Sequence, residues 1–291
     1  MKVSRITILI TWLLLAATAA RAQDTLFHYP VAPDTCTTLE SRCNYSVQHF
    51  WDQCDFSKPF ASDSLLLEAM DTYFNIMGAG ANFNLSLAST RDMLFKSQAV
   101  RSNYLKALQA AELLLFANPT RLRDDLYLTF AQSGAANTGL NKELREHFKG
   151  QVSRISASKL GEKIQDFTFT TTTGSKQRLS QVTDTTAVSY LLLITDQSNN
   201  SSIERMRLDA DVTLNQLIDS GGLKIINIVT RDAVKTWDDQ SLDLSAKWVV
   251  GANKDLFTQV DVRFMPCIIL LDSDLRVVNK NLSVDDIKNA F

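Results

Sequence analysis

The sequence predicts an α/β protein in which a helical N-terminal domain precedes a domain built on a central mixed sheet flanked by helices. From residue 35 to about residue 161, apolar residues recur at helical spacing and no segment has a convincing strand pattern. After Lys163 the pattern changes to short alternating or wholly apolar runs, separated by helical stretches. We therefore expect a signal peptide at 1–22, a helical domain at 23–158 and the sheet-containing domain at 159–291.

The helical half is expected to hold at least five helices. The first carries Leu39 to Phe50, and the stretch Ser62-Asp63-Ser64 is expected to cap a second that ends at Gly78. A longer apolar stripe runs over 86–116, either as one helix or as two broken near Thr90. Two more helices follow, and Gly161 ends the last.

The second half alternates strands and helices. Its order is hairpin, strand, helix, strand, helix, hairpin, helix, and the strand–helix–strand part implies parallel pairing. Ser283 is the expected N-cap of the last helix, with Asp286 as its capping-box partner. The expected strands are 167–170 with 177–179, 188–195, 223–229, and 267–271 with 276–278; the expected helices are 201–220, 253–260 and the C-terminal one.

The N-terminus has the organisation of an export signal. Lys2 and Arg5 precede an almost wholly apolar run, and Ala20-Arg21-Ala22 fits the small-x-small cleavage rule, so the mature chain would begin at Gln23. The apolar run is too short to cross about 30 Å of hydrocarbon. We expect an exported protein, periplasmic or extracellular, with no membrane span after signal cleavage.

The net charge argues against nucleic acid as a partner, and the spacing of the cysteines does not decide whether a disulfide forms. The 291 residues carry a formal net charge of −2, so no basic footprint for nucleic acid is expected. Cys36, Cys43 and Cys54 would share one face of a continuous helix but lie about 10 and 16 Å apart along its axis, so a disulfide needs a break in that helix. Buried free thiols are the favoured interpretation, and whether a disulfide forms stays open. No Cys-x-x-Cys or His-x-x-x-His pair is present, so no metal or other cofactor is expected.

Two motifs in the second half carry a family resemblance. Residues 161–169 read G-E-K-I-Q-D-F-T-F, which is similar to the opening of secreted bacterial thioredoxin-like and peroxiredoxin-like domains, with Ile164 and Gln165 in place of the usual Ala-Pro. Residues 264–272 read F-M-P-C-I-I-L-L-D, which resembles the stretch that holds the cis-proline of the fold. The resemblance covers about 130 residues and implies a thioredoxin-like domain, with Pro266 as that proline.

The first half resembles the helical domain of unknown function that precedes thioredoxin-like domains in a set of exported bacterial proteins. The matching stretches are residues 42–56, R-C-N-Y-S-V-Q-H-F-W-D-Q-C-D-F, and 114–124, L-L-F-A-N-P-T-R-L-R-D. The second departs from the longer family pattern, keeping Asn118-Pro119 and an Arg-Asp pair. This resemblance implies no reaction.

The reactive cysteines of a thioredoxin-type enzyme are missing. The resemblance places the two thiol positions after strand 188–195, at Asn199 and Ser202, with Asn200 and Ser201 between them. No cysteine lies between Cys54 and Cys267, so neither ordinary thiol–disulfide exchange nor peroxidase chemistry is expected. Ser201 is expected to cap the following helix with Glu204, rather than to act as a nucleophile.

The favoured function is binding without catalysis. Thioredoxin folds hold an extended peptide beside the cis-proline, and this contact needs no thiol. Met265, Pro266, Asn199, Asn200 and Ser201 are the expected peptide groove, with a peptide or protein of the cell envelope as partner. The alternative is an atypical thiol–disulfide oxidoreductase that uses Cys267, although a buried strand residue is the preferred interpretation of that cysteine.

The remaining patterns are interpreted as structural. Arg205, Arg207, Asp209 and Asp211 are expected on the solvated face of their helix. Trp237 and Trp248 could line a pocket, but core packing is favoured for both.

Overall fold

A computed structural model describes residues 25–119, 123–182, 187–233 and 245–288. The chain divides into two compact units, Met1–Leu115 and Phe116–Phe291. The expected signal peptide and its cleavage site lie outside the described residues, as does Trp237. No helix in the described ranges is long and apolar enough to cross a membrane.

The described part of the first unit is helical and contains no strand. Side chains of Thr38, Ser62 and Asn82 cap the first three helices, and the Ser62 cap agrees with the sequence prediction. The helices are α1 (Leu39–His49), α2 (Asp63–Gly80), α3 (Phe83–Ser97) and α4 (Arg101–Ala111), followed by a π-helical turn (Glu112–Phe116). The long apolar stripe is thus two helices, and the break lies at residues 98–100 rather than near Thr90.

An aromatic cluster forms part of the core of the first unit. Phe50 lies 4.9 Å from both Tyr29 and Tyr73 between ring centroids, and Trp51 packs 5.3 Å from Phe27 and Tyr73. Phe50 and Tyr73 are wholly buried and Trp51 almost so. Such contacts between rings add to the free energy gained from apolar burial.

The segment that holds the first three cysteines does break. Helix α1 ends at His49, so Cys54 lies beyond it in a turn. Cys36, Cys43 and Cys54 are all free thiols, and Cys43 is buried. Burial and the charge of Asp55 raise the pKa of Cys54 to about 12.

The second unit begins with two packed helices, α5 (Asp124–Ala136) and α6 (Lys142–Ser156). Asn141 caps α6 by accepting the backbone N–H of Leu144. Gly134 allows a close approach between the two helices, because a Cβ at that position would lie 2.5 Å from the ring of Phe148.

A seven-stranded mixed sheet forms the rest of the second unit. Its spatial order is β2-β1-β5-β4-β3-β6-β7. Strand β3 is parallel to β4 and β4 to β5, whereas β1 and β2, β1 and β5, β3 and β6, and β6 and β7 are antiparallel pairs. The strands are β1 (Thr168–Thr171), β2 (Lys176–Arg178), β3 (Ser189–Thr195), β4 (Leu223–Val229), β5 (Val249–Ala252), β6 (Cys267–Asp272) and β7 (Val277–Lys280).

Two apolar layers cover the two faces of the sheet. Alternate residues of β3 point to opposite faces. Leu191 and Leu193 pack with Leu208 and Leu214, and Leu192 belongs to the layer on the other face. The helices of this part are the short α7 (Leu179–Val182), α8 (Asn199–Ala210), α9 (Val212–Asp219) and the capped C-terminal α10 (Val284–Lys288).

Three sequence expectations for this unit need correction. The expected helix over 201–220 is two helices, because Asp211 ends α8 and caps α9 through the N–H of Leu214. Strand β5 was not expected, since its four residues include Gly251 and carry no alternating pattern. The helix expected over 253–260 is a single 3₁₀ turn at Leu256–Thr258.

Candidate functional site

The candidate site lies where strand β3 ends and helix α8 begins. Ser198 is the N-cap of α8 and accepts the backbone N–H of Ser201. Asp196 accepts hydrogen bonds from the hydroxyls of Ser198 (2.5 Å) and Ser201 (2.6 Å). Burial raises the pKa of Asp196, but these hydrogen bonds outweigh it, and the pKa is lowered.

The prediction that Ser201 caps the helix with Glu204 is wrong. Ser198 occupies the N-cap because its backbone is extended, whereas Ser201 lies inside the first helical turn. Glu204 instead pairs with Arg207 at 3.1 Å. Ser201 is wholly buried, and its hydroxyl is engaged with Asp196.

The side chains at the two expected thiol positions, Asn199 and Ser202, are not the ones that converge here. Asn199 is the exposed first residue of α8, and Ser202 accepts a hydrogen bond from Arg205 at 3.0 Å. The side chains that meet are those of Ser198 and Ser201, with their hydroxyl oxygens 3.3 Å apart. Each precedes an expected thiol position by one residue.

A surface cavity of about 360 Å³ borders the loop that holds Pro266. The peptide bond between Met265 and Pro266 is cis. Of the expected groove residues, Met265, Pro266 and Asn200 line the cavity, while Asn199 and Ser201 do not. We call this cavity the groove; the residues that line it are Asn200, Ile203, Glu204, Met265, Pro266, Ile268, Asn281, Leu282 and Ser283.

Sequence reasoning missed several lining residues of the groove. A single helix over 201–220 would align Ile203 and Met206 with Leu214 on one apolar stripe, yet these two side chains are 50% and 54% exposed. Arg205, expected in solvent, is buried. The missed signal is Asp211, a residue type that favours N-caps and here starts a second helix, which changes the face that α8 buries.

Cys267 lies at the start of β6 and is buried. Its Sγ is 4.0 Å from the carbonyl oxygen of Asp261 and from Oδ1 of Asn281. Burial, followed by the charge of Asp261, raises the pKa of this thiol to about 12.

Four charged side chains pair with one another, and we call them the charge cluster: Asp124, Asp261, Arg263 and Lys280. Arg263 pairs with both carboxylates, and Lys280 does the same. Burial raises the pKa of Asp261, but hydrogen bonds from Arg263 and the charges of Arg263 and Lys280 outweigh it and lower the pKa. No signal in the sequence pointed to this cluster.

Other polar candidates do not assemble into a site. Among the described residues, no group of three His, Cys, Asp or Glu side chains is arranged to hold a metal ion. Trp248 is buried against the sheet, as expected. Arg207 and Asp209 are exposed.

Comparison with known proteins identifies the fold. A thioredoxin-like protein from Bacteroides caccae ATCC 43185 is 19% identical, with a TM-score of 0.81, and the match covers 91% of this chain and 97% of that one. A conserved protein of unknown function from Bacteroides fragilis is 26% identical over 46% of this chain and 98% of its own, with a TM-score of 0.42. The thioredoxin domain of a thiol-disulfide oxidoreductase from Bacteroides vulgatus is 17% identical over 45% and 94%, with a TM-score of 0.33.

The second half is therefore a thioredoxin-like domain, as predicted. The helical part that precedes it is a DUF5106 domain, because residues 14–158 match the family model described as Domain of unknown function (DUF5106). Helices α5 and α6 lie within that match and also within the second compact unit. No curated protein matches the chain in sequence.

Proposed function

We propose that this chain is an exported, non-catalytic thioredoxin-like protein that binds extended or unfolded polypeptide segments along the groove. The observation that carries the proposal is the pairing of a retained groove with hydroxyl and amide side chains at the positions where a thiol pair would act. Asn199 and Ser202 occupy the positions to which the resemblance assigns the thiol pair, and the groove lies beside Met265 and Pro266.

The chemistry of the groove supports a peptide occupant. Ile203, Met265 and Leu282 offer apolar surface, while Asn200 and Asn281 offer amides that can both donate and accept hydrogen bonds. Met206, one turn along α8 from Ile203, continues the exposed apolar surface. An extended peptide presents this combination, since its backbone needs hydrogen bonds and its side chains need apolar contact.

The oxidoreductase alternative would use Cys267 as its nucleophile. A thiol reacts as thiolate, and a pKa of about 12 leaves on the order of 10⁻⁵ of this thiol ionised at pH 7. The side chain is also only 2% exposed. Both facts favour a packing role for Cys267.

Binding is tested with a thiol-free unfolded probe. We expect the mature chain to bind fluorescein-labelled ribonuclease polypeptide that has been reduced and carboxymethylated, as measured by fluorescence anisotropy. Ile203→Glu should weaken binding by about tenfold or more, because it places a charge on the apolar wall of the groove. Val212→Glu is the matched control, since Val212 is an exposed apolar residue that does not line the groove. Equal affinity in all three proteins, or none in the unmodified chain, would refute peptide binding.

Catalysis and export are tested separately. With dithiothreitol as reductant, the mature protein should reduce insulin disulfides no faster than background; turnover that disappears in Cys267→Ser would establish the alternative.

Export predicts that the protein recovered from the native envelope or medium begins at Gln23, which N-terminal sequencing checks. A retained Met1 would contradict it.

A further inference from the structure

The two cations of the charge cluster belong to chain segments that line the groove. Arg263 precedes Met265 by two residues, and Lys280 directly precedes Asn281. Met265 and Pro266 line the groove from one chain segment and residues 281–283 line it from another, and we call these two segments its rims. Each rim is therefore attached to one cation of the cluster.

Asp124 links the two cations from outside the sheet. Its carboxylate pairs with Arg263 and with Lys280, and it belongs to the first turn of α5. Asp261 joins the same cations from within the loop, 3.0 Å from Nε of Arg263 and 3.0 Å from Nζ of Lys280. Two anions thus balance two cations.

Burial gives these contacts their strength. The side chains of Asp261, Arg263, Lys280 and Asp124 are 1%, 3%, 7% and 16% exposed. The guanidinium of Arg263 also lies 4.3 Å from the ring centre of Phe116, the last residue of the π-helical turn. Removing one anion would leave a buried cation without full compensation, so the segments that carry the cations would have to move.

We propose that Asp124 is a positioning residue for the groove: through Arg263 and Lys280 it holds in place the Met265–Pro266 rim and the Asn281–Ser283 rim, which lie at the ends of the paired strands β6 and β7. Helix α5 lies inside the DUF5106 match, so this part of the domain of unknown function shapes a binding surface on the thioredoxin-like domain. The proposal rests on the proposed function only in taking a peptide as the occupant of the groove.

The positions of the rims are measured without any ligand, on the full mature chain. In Asp124→Asn we expect amide hydrogen exchange to rise on the order of tenfold in residues 264–268 and 281–283, with β3 and β4 unchanged. Alkylation of Cys267 by iodoacetamide should accelerate in parallel, because its Sγ lies between Asp261 and Asn281. Asp125→Asn is the matched control, since Asp125 is the neighbouring carboxylate and pairs with Arg123 instead.

A charge-balanced variant separates positioning from stability. Asp124→Asn/Lys280→Met keeps one buried anion and one buried cation, so it should regain thermal stability while the rims still exchange faster than in the unmodified chain. Exchange of the rims restored to the unmodified rate in this variant, or unchanged rims in a folded Asp124→Asn, would overturn the proposal. If Asp124→Asn does not fold, the balanced variant decides the question alone.

Binding of the carboxymethylated ribonuclease probe provides a second measurement. Asp124→Asn should weaken it roughly 2- to 30-fold, the range of couplings carried through packed networks, and Asp125→Asn should not. A probe that binds no form of the protein refutes peptide binding, while hydrogen exchange still tests the positioning. A probe that binds the unmodified chain and Asp124→Asn equally well refutes the positioning alone.

Discussion

At the scale of single residues, the hydroxyls of Ser198 and Ser201 converge at the start of helix α8. The 3.3 Å between the oxygens of Ser198 and Ser201 predicts that Ser198→Cys/Ser201→Cys will close a disulfide on mild oxidation. Asn199→Cys/Ser202→Cys is the comparison, and it should close a disulfide less readily because Asn199 points into solvent while Ser202 is engaged with Arg205. Mass spectrometry of free thiols after labelling distinguishes the pairs; preferential oxidation of the 199/202 pair would show that the side chains at those two positions converge instead.

The buried thiol of Cys267 should make the stability of the folded protein depend on pH in the alkaline range. Its pKa is raised from 9.0 to about 12, so the folded state holds the thiol proton more tightly than the unfolded state. The resulting stability is fully present below pH 9 and is lost as the pH rises towards 12. Tyr73 acts in the same direction from about pH 10, since burial raises its pKa to about 12 as well. Cys267→Ala should therefore lose less stability between pH 8 and pH 10.5, as measured by urea midpoints; an identical loss would contradict this.

At the scale of elements, replacing either of two helical glycines by alanine should change stability in opposite directions. Gly134→Ala in α5 should lower stability by about 1–3 kcal/mol, because its Cβ would overlap the ring of Phe148. Gly150→Ala in α6 meets nothing within 4 Å and should raise stability by about 0.8–1.0 kcal/mol through helix propensity. Thermal melts of the two variants check the pair, and a stabilising Gly134→Ala would show that α5 and α6 are not packed this closely.

At the scale of the whole molecule, the charge cluster predicts where the chain can be divided. A fragment of residues 159–291 lacks Asp124 and leaves Arg263 and Lys280 with one buried carboxylate. We expect it to be about 3–5 kcal/mol less stable than a fragment of residues 116–291, the range for breaking a buried ion pair. Chemical denaturation of both fragments measures the difference. Equal stability would mean that residues 116–158 do not stabilise the thioredoxin-like domain, which would then begin after residue 158, where the family match ends.

The sequence predicted those features whose signal is local. Strand β3 is an almost unbroken apolar run, β4 is largely apolar, and Pro266 lies in a motif directly before β6, so these features could be predicted from the sequence. The charge cluster could not, because Asp124 and Arg263 are 139 residues apart and neither belongs to a periodic pattern. Strand β5 was missed because four residues ending in Gly-Ala have weak strand preference on their own. Arg205 was misplaced because charged side chains are usually exposed, and only tertiary contacts reverse that expectation.

The two outer strands of the sheet bear on how this protein avoids polymerising with itself. Strand β2 has three residues, two of them cationic, and β7 has four, with its pairing to β6 shifted by an irregularity at Leu270 and Leu271. Short, charged or irregular outer strands are poor templates for a strand of another molecule, so neither border favours fibre growth. Under the proposed function, an unfolded segment would bind in the groove before β6 and not at either border of the sheet.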